Sequence, residues 1–380
     1  MKRRGPFFAA AILGLACTLP GGLGALSRPT ATPTRPAETS TPAAPPSATP
    51  VPPTARPPSP TPLSPVIGVD TIGALSIFVS FGQGEMLRTL AFSPDGSALA
   101  SAAGNNEDFA VRLWETGSGL PLRVLQGHTS IVWSVAFSPD GQFLASASSD
   151  GTAKVWDWRT GSLLKSLDFP NEVVSVVFSP DSQTMAVGGV DGWPNATVWT
   201  WSVASWQPLM ELSEFWNIPA LAYSPDGQWL VGGGTSRNVR VWSTGDSEPL
   251  FTLHHSGQVS SVAISPDGTT AAAGLCEASA ANAECTRGAV WLWDLRTGTL
   301  IEKLSDFSDG VEDVAFSVDG SWFIGGSRDG MLRAYRTSGV EPILVVRSPG
   351  GIGALALSPD GRFLATGSAR GEIHLWRIEP

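Results

Sequence analysis

Val132-Trp133-Ser134-Val135-Ala136-Phe137 runs into Ser138-Pro139-Asp140-Gly141 and leaves it as Phe143-Leu144-Ala145-Ser146-Ala147. Proline presets φ for the first turn position, aspartate accepts from nearby backbone N–H groups, and glycine takes the position that needs positive φ. The tetrapeptide is therefore a tight turn between two short apolar strands. It recurs from Ser93, Ser138, Ser179, Ser224, Ser265, Ser317 and Ser358, at intervals of 45, 41, 45, 41, 52 and 41 residues. Ser179-Pro180-Asp181-Ser182 lacks the glycine, and Ser317-Val318-Asp319-Gly320 lacks the proline.

Around each turn the unit is the same. The first strand is β-branched or aromatic, as in Val173–Phe178 and Ile352–Leu357, which suits burial on both faces. A third strand ends in Trp114, Trp156, Trp201, Trp242, Trp293, Tyr335 or Trp376. A polar turn such as Arg159-Thr160-Gly161 then leads to a fourth strand such as Leu163–Leu167. A period of about 40 to 45 residues is one four-stranded propeller blade. The expected fold is all-β, a seven-bladed β-propeller. The last repeat stops after its third strand, and Leu75-Ser76-Ile77-Phe78-Val79 precedes the first one. That N-terminal strand is expected to complete the last blade, removing the open sheet edges.

Trp156-Asp157, Trp293-Asp294, the near match Trp114-Glu115 and the pair Gly127-His128 make residues 74–380 resemble the WD-repeat (WD40) family. TolB-like propellers share the Ser-Pro-Asp-Gly turn, but the Trp-Asp ending and the downstream Thr-Gly turn favour the WD-repeat resemblance. The resemblance implies a structural hydrogen-bonded tetrad, which His128, Ser146, Asp150 and Trp156 of blade two supply in full. Elsewhere the pattern is degraded, with Gly325 and Arg370 at tetrad positions, so most blades are expected to rely on apolar packing. One of His254 and His255 is expected to take the structural role in blade five.

The 380-residue chain carries a net charge of −10. Residues 1–65 hold six basic and one acidic residue, leaving 18 basic and 33 acidic in the rest, a net of −15. An acidic platform repels phosphate backbones, so nucleic acid is not an expected partner. Met1-Lys2-Arg3-Arg4 and the apolar run Phe7–Ala16 read as an export signal. Leu13-Gly14-Leu15-Ala16-Cys17 resembles a bacterial lipobox, which implies lipid on Cys17; Gly14 departs from the usual leucine. Cleavage near Ala25-Leu26-Ser27 and an uncleaved anchor stay open. All three place the protein outside the cytoplasm, with membrane contact only through the N-terminal anchor. Residues 28–65 hold 14 prolines and 8 threonines and cannot bury a core. A polyproline-like spacer of 38 residues reaches ~120 Å at most. The expected organisation is a signal over 1–27, a linker over 28–65 and a monomeric propeller over 66–380.

Cys276 and Cys285 sit in a long insertion of blade five. Outside the cytoplasm a disulfide is the default for such a pair, worth ~2.7 kcal/mol in the chain-entropy model. No catalytic or phosphate-binding motif appears, and the innermost strands are mostly apolar apart from Asp313, so neither catalysis, a metal nor a cofactor is expected. Function is expected on the irregular loops between blades and between second and third strands, because loops on a rigid scaffold carry recognition. Arg88, Trp133, Glu172, Trp216, Asn217, Gln258 and Glu312 stand at the blade entrances, and Trp193 in a loop of blade three. Trp133, Trp193 and Trp216 are candidate binding anchors. The expected function is a non-enzymatic scaffold for a protein or peptide of the cell envelope. A carbohydrate or wall-polymer binder and a channel-based enzyme are the alternatives.

Overall fold

The computed structural model describes residues 66–82, 84, 86–103, 108–190, 195–215, 218–280 and 284–378. The signal-like segment, the proline-rich linker, Trp193, Trp216 and Asn217 lie outside them. Among the described residues are 28 strands in seven four-stranded antiparallel sheets and a single 3-10 turn, Ile72–Ala74. No helix among them is long and apolar enough to cross a membrane. Six blades use four consecutive strands. The seventh joins Ala354–Leu357, Leu364–Gly367 and Glu372–Ile378 to the N-terminal strand Leu75–Gly82. The closing strand pairs from Leu75↔Ile378 to Gly82↔Glu372.

The closing strand is a true outer strand by a second criterion. In the first six blades the ladder between third and fourth strands shifts at the strand-ending aromatic, as at Val155/Trp156 and Ala334/Tyr335. In blade seven the shift falls between Ile77 and Val79, opposite Trp376. A bulge bends the outer strand and raises its twist, which keeps it against its blade.

The turn that sets the period is a closed knot of hydrogen bonds. Each serine donates its hydroxyl to the turn aspartate at 2.5–2.7 Å. The same aspartate oxygen accepts the N–H two residues on, as from Gln142 at 3.0 Å and Gln228 at 3.1 Å. Ser182, standing where the six other turns have glycine after Asp, adopts φ +60°. Its hydroxyl compensates by accepting the Asp140 N–H of the preceding blade at 3.0 Å. The turns thus join neighbouring blades as well as neighbouring strands.

The core lies between blades. At the entrance of each innermost strand, Leu87, Val132, Val173, Ile218, Val259, Val311 and Ile352 are all 2% exposed or less. Burying each such side chain contributes about 1.5–3 kcal/mol. Cys276 and Cys285 form a disulfide, with Cα atoms 5.7 Å apart. Their segment is not a loop: the second and third strands of blade five continue through it as a hairpin of two ten-residue strands, Thr270–Ser279 against Cys285–Asp294. Gly257 allows this, because a Cβ there would lie 1.6 Å from the Cys276 carbonyl oxygen.

Removing residues 74–80 leaves the third strand of blade seven with an open edge. A chain lacking them is expected to unfold in urea with a markedly lower midpoint and as a whole. Unfolding that matches the intact protein would show that Leu75–Gly82 does not close the ring.

Candidate functional site at the channel mouth

The innermost strands carry a bulge near their start in five blades, with shifts at Leu87/Thr89, Val132/Ser134, Val173/Ser175, Val259/Ser261 and Val311/Asp313. A bulged residue leaves the ladder and is free for other contacts. At this position stand Arg88, Trp133, Val174, Ser260 and Glu312, with Pro219 and Gly353 at the same place in blades four and seven. All lie where the strands enter from the loop face.

Three of the expected binding residues meet there. The Arg88 guanidinium lies over the Trp133 ring, 4.5 Å from its centroid, and the Trp133 indole N–H donates to Ser149 Oγ at 2.7 Å. Glu312 is ion-paired with Arg328, which follows the second strand of its own blade. Arg88 interacts electrostatically with both Glu312 and Arg328. Only Gly353 stands at the equivalent position of the blade between them, and a Cβ there would meet the Leu87 carbonyl at 2.7 Å. Burial holds the Arg88 pKa below the ordinary arginine value, with Glu312 opposing it. Burial likewise raises the Glu312 carboxyl against the pull of Arg328 and Arg88. The mouth therefore holds partly desolvated charges, where an ionic partner is felt far more strongly than on an open surface. Glu172 and Gln258 are exposed at the entrances of blades three and five. Trp133 is half-buried, and Arg88 already occupies one face of its ring. Arg328 escaped sequence reading, although its place in Ser327-Arg328-Asp329-Gly330 matches that of Ser149 in Ser148-Ser149-Asp150-Gly151.

One layer deeper, in five of the seven blades, the residue that follows the bulge ties its blade to the next. Thr89 accepts the Val135 N–H at 3.4 Å, and Ser134 the Val176 N–H at 3.3 Å. Ser175 donates to the Ile218 carbonyl at 2.7 Å. Asp313 accepts from Ser261 Oγ at 2.7 Å and from the Leu355 N–H at 2.8 Å, joining blades five, six and seven. Asp313 is thus an inter-blade staple. Burial pushes its carboxyl up to about 6 despite these donors.

In blade two the Trp156 indole donates to Ser146 Oγ at 2.9 Å, and that hydroxyl meets His128 Nε2 at 2.7 Å. His128 Nδ1 meets Asp150 at 2.8 Å. Burial holds the His128 pKa below its ordinary value, which fits a neutral ring with Nδ1–H on the carboxylate. The other blades are less apolar at this point than the sequence suggests. Trp293 donates directly to His255 Nε2 at 3.0 Å, Trp114 to Ser101 at 2.8 Å and Trp376 to Thr366 at 2.9 Å. Tyr335 donates to Asp306 at 2.7 Å. Apolar packing alone serves Trp201 and Trp242 among the described residues. The correction has a simple cause: a buried indole or phenol needs an acceptor, and several side chains on neighbouring strands can supply one. No three His, Cys, Asp or Glu side chains among the described residues gather as metal ligands.

With seven blades, this turn chemistry and the strand-ending aromatics in place, the chain is a repeat propeller of the protein-interaction type. The WD40 family model, "WD domain, G-beta repeat", matches residues 77–115, 119–157, 161–193, 206–243, 247–294, 298–336 and 341–377. The chain belongs to the WD40 family. Each matched repeat begins on or just before the outer strand of one blade, and all but the third, which stops at residue 193, end on the third strand of the next. Among curated relatives, autophagy-related protein 16 of Arabidopsis thaliana is 30% identical over 96 residues, 24% of this chain and 19% of that protein. Eukaryotic translation initiation factor 3 subunit I of Neurospora crassa is 33% identical over 92 residues, 24% of this chain and 26% of its own length. Periodic tryptophan protein 2 homolog of Schizosaccharomyces pombe is 29% identical over 94 residues, 24% of this chain and 11% of that protein. The chain thus matches about a quarter or less of these relatives. WD40 propellers are in general non-enzymatic scaffolds that bind proteins or peptides.

A carboxyl raised in the folded state gives stability that is full below its unfolded pKa and is lost as pH rises through the folded one. For Asp313, lifted from 3.8 to about 6, the loss between pH 4 and 7 is about 3 kcal/mol. Urea titrations of the wild type and Asp313→Asn should diverge by that order across this window, the variant gaining at neutral pH. Parallel pH profiles would show that the staple is not titrating there.

Proposed function

We propose that this WD40 propeller is a non-enzymatic scaffold displayed outside the cytoplasmic membrane, where its loop face holds a protein or peptide of the cell envelope. The observation that carries the binding surface is the mouth cluster. Arg88, Trp133, Glu312 and Arg328 converge from three strands' worth of rigid backbone, and a rigid charged and aromatic patch is what a protein hot spot requires. Glu172 and Gln258 extend the same rim, and Trp193, Trp216 and Asn217 belong to loops of that face by sequence. Display outside the cytoplasm rests on the signal-like residues 1–27, with lipid at Cys17 or cleavage near Ser27, and on the proline-rich linker over 28–65. The Cys276–Cys285 disulfide fits an oxidising compartment. The propeller over 66–380 then acts as a monomer with no cofactor, touching the membrane only through its anchor. The initiation-factor relative is by its name a subunit of an assembly, which accords with a scaffold.

Crosslinking in cells followed by mass spectrometry tests the reading, using the full chain and a Trp133→Ala/Glu312→Lys variant. The expected result is a discrete envelope protein captured by the wild type and lost in the variant. Capture equal in both would place the binding surface elsewhere. Absence of any enriched protein, together with glycan-array binding that Trp133→Ala removes, would replace the protein partner by a carbohydrate.

A further inference from the structure

The face opposite the loops carries the serine–aspartate turns, and grooves run between neighbouring turns there. Two of these grooves are filled by the chain itself, and the fillings are informative. Between blades one and two, the buried Trp158 indole donates to the Gly141 carbonyl at 3.1 Å, and Arg159 bonds the same oxygen. The Arg159 guanidinium also reaches the Asp95 carboxylate of the preceding turn at 3.7 Å. Between blades six and seven, the extended segment Val66–Ile67 enters from the N-terminal side. The Ile67 N–H donates to the Gly361 carbonyl at 2.8 Å, and its side chain is 3% exposed beside Trp322. With that segment in place, the space left there is about 170 Å³.

The groove between blades three and four has neither filling. Thr244 and Gly245 stand where blade two has Trp158 and Arg159, and no other described segment enters it. It measures about 480 Å³. Its wall is Leu209, Met210, Leu212, Leu230 and the ring of Tyr223, with Leu209 55% exposed. Its rim carries Asp181, Asp226 and Asp246, with no basic side chain in the lining. The turn hydrogen bonds of Asp181 and Asp226 use Oδ1 of each, so Oδ2 faces no donor among the described residues. The Gly227 carbonyl, counterpart of Gly141 and Gly361, accepts no hydrogen bond among them. Burial and the Asp181 charge raise the Tyr223 phenol far above its ordinary value, so it remains a neutral donor.

We propose that this groove docks an extended peptide segment of a partner protein carrying an aliphatic residue next to an arginine. The aliphatic side chain takes the Leu209–Tyr223 wall as Ile67 takes its own groove. The peptide N–H meets the Gly227 carbonyl, and the guanidinium reaches Asp181 as Arg159 reaches Asp95. This surface is independent of the loop face.

Fluorescence polarisation on the full-length protein tests it, with labelled Ser/Thr octapeptides centred on Ile-Arg, Ile-Glu or Ser-Arg. The Ile-Arg peptide should bind at least about tenfold more tightly than the other two. Leu209→Glu, at an exposed position, should remove that binding. Thr244→Trp/Gly245→Arg, which rebuilds the blade-two filling in blade four, should block it while thermal unfolding stays cooperative. Trp133→Ala/Glu312→Lys should leave it unchanged. Equal binding of the three peptides, or Ile-Arg binding that survives Leu209→Glu, would overturn the proposal.

Discussion

A sheet edge left open is the constraint on which everything else in this molecule depends. Seven blades can bury their inter-blade faces only if the ring closes, and closure hangs on one pairing, Leu75–Gly82 against Glu372–Ile378. These strands lie at opposite ends of the chain. Their union ties the two ends of the repeat array together, so loss of the pairing is felt by every blade. The closing strand even reproduces the outer-strand irregularity of the other six blades at Ile77/Val79. It thereby keeps the packing of Trp376, which is 3% exposed, equivalent to that of Trp156.

Within the closed ring, two sets of polar contacts hold neighbouring blades in register. On one face the serine–aspartate turns abut one another, with Ser182 reaching Asp140 across a blade boundary. In the channel, Thr89, Ser134, Ser175, Ser261 and Asp313 bond main-chain groups or side chains of the next blade. Buried polar contacts of this kind fix geometry because any slip would leave a donor or acceptor unpaired. That fixed geometry lets Arg88 of blade one, Trp133 of blade two and Glu312 of blade six share one site without any loop having to order them.

The fold was almost fully legible in the sequence, because a turn whose every residue has a conformational task leaves a periodic mark. Ring closure followed from counting strands. The site was legible only as a set of positions. Arg88, Trp133 and Glu312 were singled out as blade-entrance residues, but their grouping depends on bulges that leave no residue signature. Arg328 was missed although its turn, Ser327-Arg328-Asp329-Gly330, matches Ser148-Ser149-Asp150-Gly151. His255 takes the expected structural role beneath Trp293, whereas the partners of Trp376 and Tyr335 were missed: Thr366 holds the position of Ser146, and Asp306 reaches the Tyr335 phenol from the outer strand of blade five. Cys276 and Cys285 gave away their disulfide by spacing and by the compartment expected for them, yet the hairpin of two ten-residue strands that carries them looked like a loop. Its strands hold Glu277, Arg287 and Gly288, which break the apolar pattern.

Amide hydrogen exchange, read by peptide mass spectrometry on the intact protein, reports most directly on ring closure. If Leu75–Gly82 closes the ring, its amides and those of Glu372–Ile378 exchange as slowly as the central strands of blades two and three, through global unfolding. Rapid exchange of Leu75–Gly82 while Leu144–Ser148 and Thr184–Val190 stay protected would contradict closure, and with it the rigid mouth that the binding site requires.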